Sequence, residues 1–234
     1  MFNASHPDPG ADLKLSCRRP LSFGERRLDS FFGPLEPGKV HLLESTTHFI
    51  FDAVYMAMAE ALRDPEARVV FVDGGNRMNP YALVRLCKRF RLDPDRCLER
   101  VLVSRAFTAY QMSSIIEDSL EPQLSDGALL IVSQLQALYQ DKDVWYREAE
   151  VLVKRASEHV RALTERHGTV TLVTDVPHQS KSDFGDILAE NSDRHLRFLN
   201  LRRRLRLQDA RTGRSVDYLP VPLNQAILDD YGVL

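Results

Sequence analysis

Two short apolar runs without alternation constrain this chain more than any other feature. Residues 67–73 read ARVVFVD and residues 128–132 read ALLIV. A strand with one wet face alternates apolar and polar residues. A run without alternation belongs to a strand buried on both faces, as in a parallel sheet covered by helices on either side. The segments between such runs carry the helical period. Leu83, Leu86 and Phe90 follow Asn79-Pro80, Met112, Ile115 and Ile116 share one face of residues 108–120, and residues 144–167 form a long amphipathic stretch closed by Gly168. Further strands are expected at 40–43, 101–104 and 169–174, and a helical turn at 27–32. Strand and helix alternate from residue 40 to 174, which predicts a mostly parallel, doubly wound α/β sheet.

The stretch from Gly38 to Leu62, GKVHLLESTTHFIFDAVYMAMAEAL, joins the first strand to an Ala- and Met-rich helix. In an α/β nucleotide-binding domain a phosphate loop sits here. It uses glycines so that backbone amides can wrap the phosphates, and Lys followed by Ser or Thr for phosphate and Mg²⁺. Residues 40–62 contain no Gly, Lys or Arg. The scaffold of such a loop is present without its chemistry.

Composition narrows the classes. With 234 residues, 44% of them hydrophobic, the chain has material for a sizeable core. A formal net charge of -2 gives no whole-molecule attraction for nucleic acid, so any such site must be local. Cys17, Cys87 and Cys97 show no metal-ligand spacing and suit a reducing compartment. The first residues, MFNASHPDPGADLK, lack an apolar signal core. A soluble intracellular protein is expected, cytoplasmic and nucleoid-associated in a prokaryote or nuclear in a eukaryote. Residues 1–21, rich in Pro, Ser, Gly and Asp, are expected to be a flexible arm, and residues 22–234 the core domain.

Beyond a polar stretch at 180–193 without period, residues 196–207 alternate as a strand. Leu199, Leu201, Arg203, Leu205 and Leu207 fall on one face, and Asn200, Arg202, Arg204 and Arg206 on the other. Thr212-Gly213 predicts a turn, and residues 215–219 the returning strand of an antiparallel hairpin spanning about 195–219. Arg202, Arg204, Arg206, Arg211 and Arg214 form the densest basic patch. It reads equally as a contact to a nucleic-acid backbone or as a charged edge that blocks aggregation.

Other candidates read as structural. His41, His48 and His178 have no partner at catalytic spacing. Asp73 ends a parallel strand where α/β ligand sites lie, but its simplest role is to accept hydrogen bonds from the Gly74-Gly75 loop. Trp145-Tyr146, next to Asp141-Lys142-Asp143, suits either helix packing or base stacking.

Taken in order, several segments resemble the ATPase core of the RecA/RadA recombinase family, in particular the archaeal RadA type and its paralogs. RRLDSFFGPLEPGKVHLLE is similar to the family's entry into the first core strand. VVFVDGGNRMNPYALVRLCKRFRLDPDRCLERVLVSRAFTAYQM follows its pattern most specifically, and TVTLVTDV resembles the strand preceding its second DNA-binding loop. The resemblance implies a RecA-like three-layer α/β fold with a C-terminal antiparallel hairpin. The helix-hairpin-helix domain that precedes the RadA core is expected to be missing. Carried over by position, the phosphate-loop glycines fall on Ser45 and Ile50, the Lys on Phe51 and the Ser/Thr on Asp52. The Walker B carboxylate falls on Ser133 and the catalytic Glu on Gly75. All three elements are degenerate.

The expectation is therefore a non-catalytic paralog without cofactor or metal, accessory to homologous recombination or DNA repair. It would act through contacts with a RecA/RadA-type recombinase or another paralog, in a hetero- or homo-oligomer, with weak single-stranded DNA binding as a further expectation and no membrane contact. The alternatives are a divergent ATPase completed by a partner subunit and a RecA-fold interaction scaffold outside recombination.

Overall fold

A computed structural model describes residues 19–177, 183–202 and 204–220. The residues beyond these, among them most of the N-terminal arm, Cys17, His178, Arg203 and the last fourteen positions, lie outside the description. The runs without alternation become β2 (Val69–Asp73) and β4 (Leu129–Ser133), each buried along its whole length. With β1 (Lys39–Ser45), β3 (Val101–Arg105), β5 (Val170–Asp175), β6 (Arg194–Asn200), β7 (Leu205–Asp209) and β8 (Ser215–Tyr218) they form one sheet in the order β3-β2-β4-β5-β1-β6-β7-β8. The first six in that order run parallel, and β7 and β8 are antiparallel additions.

The pleat sends alternate residues of each strand to opposite faces. Val69 and Phe71 of β2 join a core with Leu43, Ile131 and Leu172 under α2 (Phe49–Ala61) and α3 (Pro80–Arg89). Val70 and Val72 join Val40, Leu42, Leu130 and Val132 under α5 (Ala109–Ser114) and α6 (Tyr146–His167). The result is the three-layer fold expected from the sequence. Asn79 caps α3 by accepting from the Tyr81 and Ala82 amides ahead of Pro80, and Gly168 ends α6 in the left-handed region at φ 61°.

Four local readings need correction. Asp93-Pro94 opens α4 (Pro94–Leu98) instead of only breaking the chain, because Pro suits the first turn of a helix. The 180–193 stretch contains α7 (Gly185–Glu190), too short to show a period. Leu21, the last residue assigned to the arm, is tied to Leu35 by two backbone hydrogen bonds and belongs with the fold. Most consequentially, residues 196–207 are not one strand. The chain reverses between β6 and β7 across residues 201–204, with Arg202 in the left-handed region at φ 65° and the Leu201 amide donating to Arg204 O. Leu199 pairs with Arg206 in register, and Leu201 sits exposed in the turn. The C-terminal unit is thus a three-stranded antiparallel meander. Its second turn does lie at Thr212-Gly213, with Gly213 at φ 73°.

Candidate functional site

The α/β design places ligand chemistry beyond the carboxyl ends of the parallel strands. Ser45, Ser133 and Gly75, carried over by position, stand at or just beyond the ends of β1, β4 and β2. Ser45 ends β1, and only three residues, Thr46 to His48, separate it from α2. Ser45 Oγ donates to Phe198 O at 3.0 Å and accepts from the Thr47 amide at 3.0 Å, so the turn is satisfied by the protein itself. Among the described residues between Glu44 and Asp52 none has a positive φ. The amides are therefore not folded into the concave nest that holds phosphates.

Helix α2 is buried almost all round: Ile50 is fully buried, Phe51 is 8% exposed, and every residue from Ala53 to Ala59 is buried. Phe51 carries the Arg77 guanidinium over its ring at 5.5 Å, and the His48 ring lies 6.3 Å away. Asp52, in the first turn, suits the positive end of the helix dipole. Burial pushes its carboxyl above the usual range, and the charges of Arg85 and His48 pull against that shift. A triphosphate here would meet the Phe51 ring and the Asp52 carboxyl in place of Gly, Lys and Ser/Thr. The residues present do not fit it.

The other two elements sit across the same edge. Ser133 ends β4 in register with Asp73 of β2 and Thr174 of β5, and its buried Oγ has no hydrogen-bond partner. A hydroxyl there supplies no charge for a metal. Gly75 faces the residue after Ser133. A Cβ built on Gly75 would come within 2.3 Å of Gln134 Oε1, closer than real contacts allow, and 3.0 Å of Gln134 Cβ, tighter than most. Gln134 thus fills the space that any side chain at position 75 would need. It does so from a left-handed backbone, φ 53°, with its amide donating to Thr174 Oγ1 at 3.0 Å. Nothing in the sequence announces this, since Gln is an uncommon residue for that conformation.

Asp73 is fully buried and structural. It accepts from the Arg77 and Met78 amides at 2.9 and 3.0 Å and pairs with Arg105 at 3.2 Å. The loop partners are therefore the amides beyond Gly74-Gly75. Tyr55 of α2 ties the same loop, donating to Arg77 O at 2.7 Å and accepting from the Asn79 amide at 2.6 Å; burial pushes its hydroxyl up to about 12. His41 is buried with its pKa lowered to about 4 by desolvation, and His48 lies exposed at the start of α2.

A polar cluster that sequence reasoning missed lies on the α6 face of β1, β5 and β6. Burial opposes the charge of Glu44, yet His195 at 2.6 Å and Arg197 at 3.0 Å hold its carboxyl below the usual range. Its neighbour Asp175 is pushed up to about 6 by burial, a shift softened by a hydrogen bond from Gln136 and reinforced by the Asp183 and Glu44 charges. Only tertiary pairing brings these residues together.

The arginines lie on the β7-β8 edge of the sheet, beside β6. Arg204 and Arg206 both pair with Asp217 of β8, at 3.3 and 3.0 Å. Arg211 donates to the carbonyls of Ala189 and Ser192, and Arg214 lies over the Phe31 ring at 5.5 Å. Because the chain turns at 201–204, Arg202, Arg204 and Arg206 do not line one face of a strand. Of the aromatic pair, Tyr146 stacks on Phe184 at 5.6 Å, whereas Trp145 is 68% exposed.

Comparison with known proteins gives this geometry its context. The Rad51 family model matches residues 27–193. The chain is 24% identical over 188 residues to the DNA repair protein RAD51 of Saccharomyces cerevisiae, covering 73% of this chain and 45% of that protein. It is 25% identical over 122 residues to the meiotic recombination protein DLH1 of Candida albicans, covering 51% of this chain and 37% of that protein. The chain spans less than half the length of these relatives. Among the described residues no helix is long and apolar enough to cross a membrane.

Proposed function

The chain belongs to the Rad51 family, and we propose that within it this protein is a non-catalytic member that serves recombination or DNA repair through protein contacts. The observation that carries this reading is the filled nucleotide edge. Phe51 is packed where the family's phosphate-binding Lys falls, and Gln134 occupies the space over Gly75 where its catalytic Glu falls. Mg²⁺ and phosphates need compensating charge and open backbone amides. Here both are replaced by apolar packing and by hydrogen bonds internal to the protein. The partner is a Rad51-family recombinase or a further paralog.

The paired arginines of the meander reduce the role of single-stranded DNA to a weak, salt-sensitive contact. Arg77 and Arg85, close to the start of α2, favour a second reading, in which a partner subunit completes a divergent nucleotide site.

Co-purification with a Rad51-family recombinase, followed by ATP turnover of the mixture, separates the two. The proposed function predicts a stable complex whose turnover depends only on the recombinase's own site. Turnover that survives inactivation of that site would transfer support to the partner-completed ATPase. Failure to associate with any Rad51-family protein would remove the proposal.

A further inference from the structure

Residues 77–100 carry seven Arg or Lys and three Asp or Glu, in a chain whose formal net charge is -2. Folding occupies several of these cations. Arg100 turns inward and donates to Leu62 O at 2.8 Å and to Ala67 O at 3.1 Å. Arg96 pairs with Asp93 at 3.6 Å, and Arg77 lies over the Phe51 ring. Arg85, Lys88 and Arg91 are left exposed, and among the described residues none of the three forms an ion pair. The charge of Arg85 is felt by Asp52, but the two do not close into a pair.

Helix α3 itself, PYALVRLCKR, has no acidic residue. Tyr81, Arg85 and Lys88 are spaced by four and then three positions, so they share its outer face. Arg91 continues the stripe just past the helix, at φ 58°. Cations in the last turn suit the helix dipole. That accounts for Lys88, but not for Arg85 in mid-helix or for the Tyr81 ring, which is 76% exposed.

A cationic stripe with an aromatic ring at one end complements an anionic partner that carries an apolar side chain. Its length selects the kind of partner. At 1.5 Å per residue, Tyr81 to Arg91 spans about 15 Å. Carboxylates border it: Asp52 beside Arg85, and the exposed Asp93 and Asp95 just past Arg91. A long polyanion laid along this line would run into like charge. An extended peptide covers the same distance in about four or five residues.

We infer that the outer face of α3 docks a short acidic peptide segment of a protein partner, with Arg85, Lys88 and Arg91 pairing its carboxylates and Tyr81 covering an apolar residue. The inference rests on the proposed action through protein contacts, and it adds the surface and its chemistry. Exposed contacts of this kind are individually weak and screened by salt.

The test is fluorescence anisotropy of the full chain with a labelled hexapeptide of glutamates containing one phenylalanine, and with its glutamine analogue. The acidic peptide binds at low salt with a Kd below about 1 mM and weakens as salt rises, whereas the glutamine analogue does not bind. Arg85→Glu/Lys88→Glu/Arg91→Glu weakens binding by about tenfold or more and Tyr81→Ala by about threefold, while Lys142→Glu/Lys154→Glu, at exposed positions elsewhere, leaves it unchanged. Circular dichroism checks that each variant is folded; should the triple variant fail, Arg85→Glu/Lys88→Glu decides. Absence of acidic-peptide binding at low salt overturns the inference, as does equal binding by wild type and the α3 variant. A single-stranded oligonucleotide that binds more tightly than the peptide, and is lost in the same variant, also overturns it and makes the stripe a nucleic-acid contact. Co-purification with a Rad51-family recombinase is scored separately. A complex that forms without any peptide binding removes this inference alone and leaves the protein-contact reading standing.

Discussion

Gly75→Ala is the smallest change that probes the edge where the family's catalytic Glu falls. The added methyl would sit 2.3 Å from Gln134 Oε1, 2.5 Å from Cδ and 3.0 Å from Cβ. The amide end of Gln134 can swing away, but its Cβ is fixed by the strand-end backbone, so overpacking remains. Such overpacking costs about 1–3 kcal/mol. Gln134→Gly removes the obstructing side chain, to which all three of the nearest atoms belong, and relieves the left-handed strain. Thermal or urea unfolding of the four proteins of the cycle gives the coupling directly. Any effect of Gly75→Ala on the unfolded chain cancels between the two backgrounds. The structure requires a coupling of about 1 kcal/mol or more, seen as a Tm loss of roughly 2–4 °C per kcal/mol at this size. Additivity within about 0.5 kcal/mol would refute the claim that Gln134 occupies position 75's side-chain space.

Phe51→Ala should destabilise the fold by about 3 kcal/mol, because the ring is buried in the α2 core; wild-type stability in urea denaturation would place the ring at the surface. Phe51→Lys should show no ATP turnover, since Ser45, Ile50, Gly75 and Ser133 remain, and turnover in that single variant would contradict the account. Asp175 has its folded pKa raised to about 6, so the native state holds the proton that the unfolded chain releases earlier, and stability falls as pH rises from about 4 through 6. Asp175→Asn should therefore stabilise by up to about 3 kcal/mol at pH 7.5 and by little at pH 4.5; equal effects at both pH values would remove that assignment. In the meander, Asp217→Asn should free Arg204 and Arg206 and tighten single-stranded DNA binding at low salt, while Arg202→Glu/Arg204→Glu/Arg206→Glu should abolish it. Identical binding by the two variants would leave these arginines a purely structural role.

Strands buried on both faces write themselves into a sequence, which is why β2 and β4 and the three layers were legible in VVFV and LLIV. The turn at residues 201–204 was not. Leu201 and Arg202 continue the alternation of β6 without Gly, Pro or Asn, and Arg202 takes the left-handed position that such residues normally mark. The arginine stripe disappeared with the reading of one long strand. At the site, the positions of Ser45, Phe51, Gly75 and Ser133 could be carried over by order along the chain. What fills the edge could not, because Gln134 against Gly75, Arg77 over Phe51 and Glu44 between His195 and Arg197 are contacts made only by folding.

The central claim, that the nucleotide edge is closed, is tested most directly by the melting temperature of the isolated chain with and without millimolar Mg-ATP, against a matched salt control. A ligand at 100 times its Kd would add about 2.7 kcal/mol of stability, roughly 5–10 °C for a domain of this size. The account predicts no shift beyond the salt control. A reproducible rise of several degrees with Mg-ATP would contradict it.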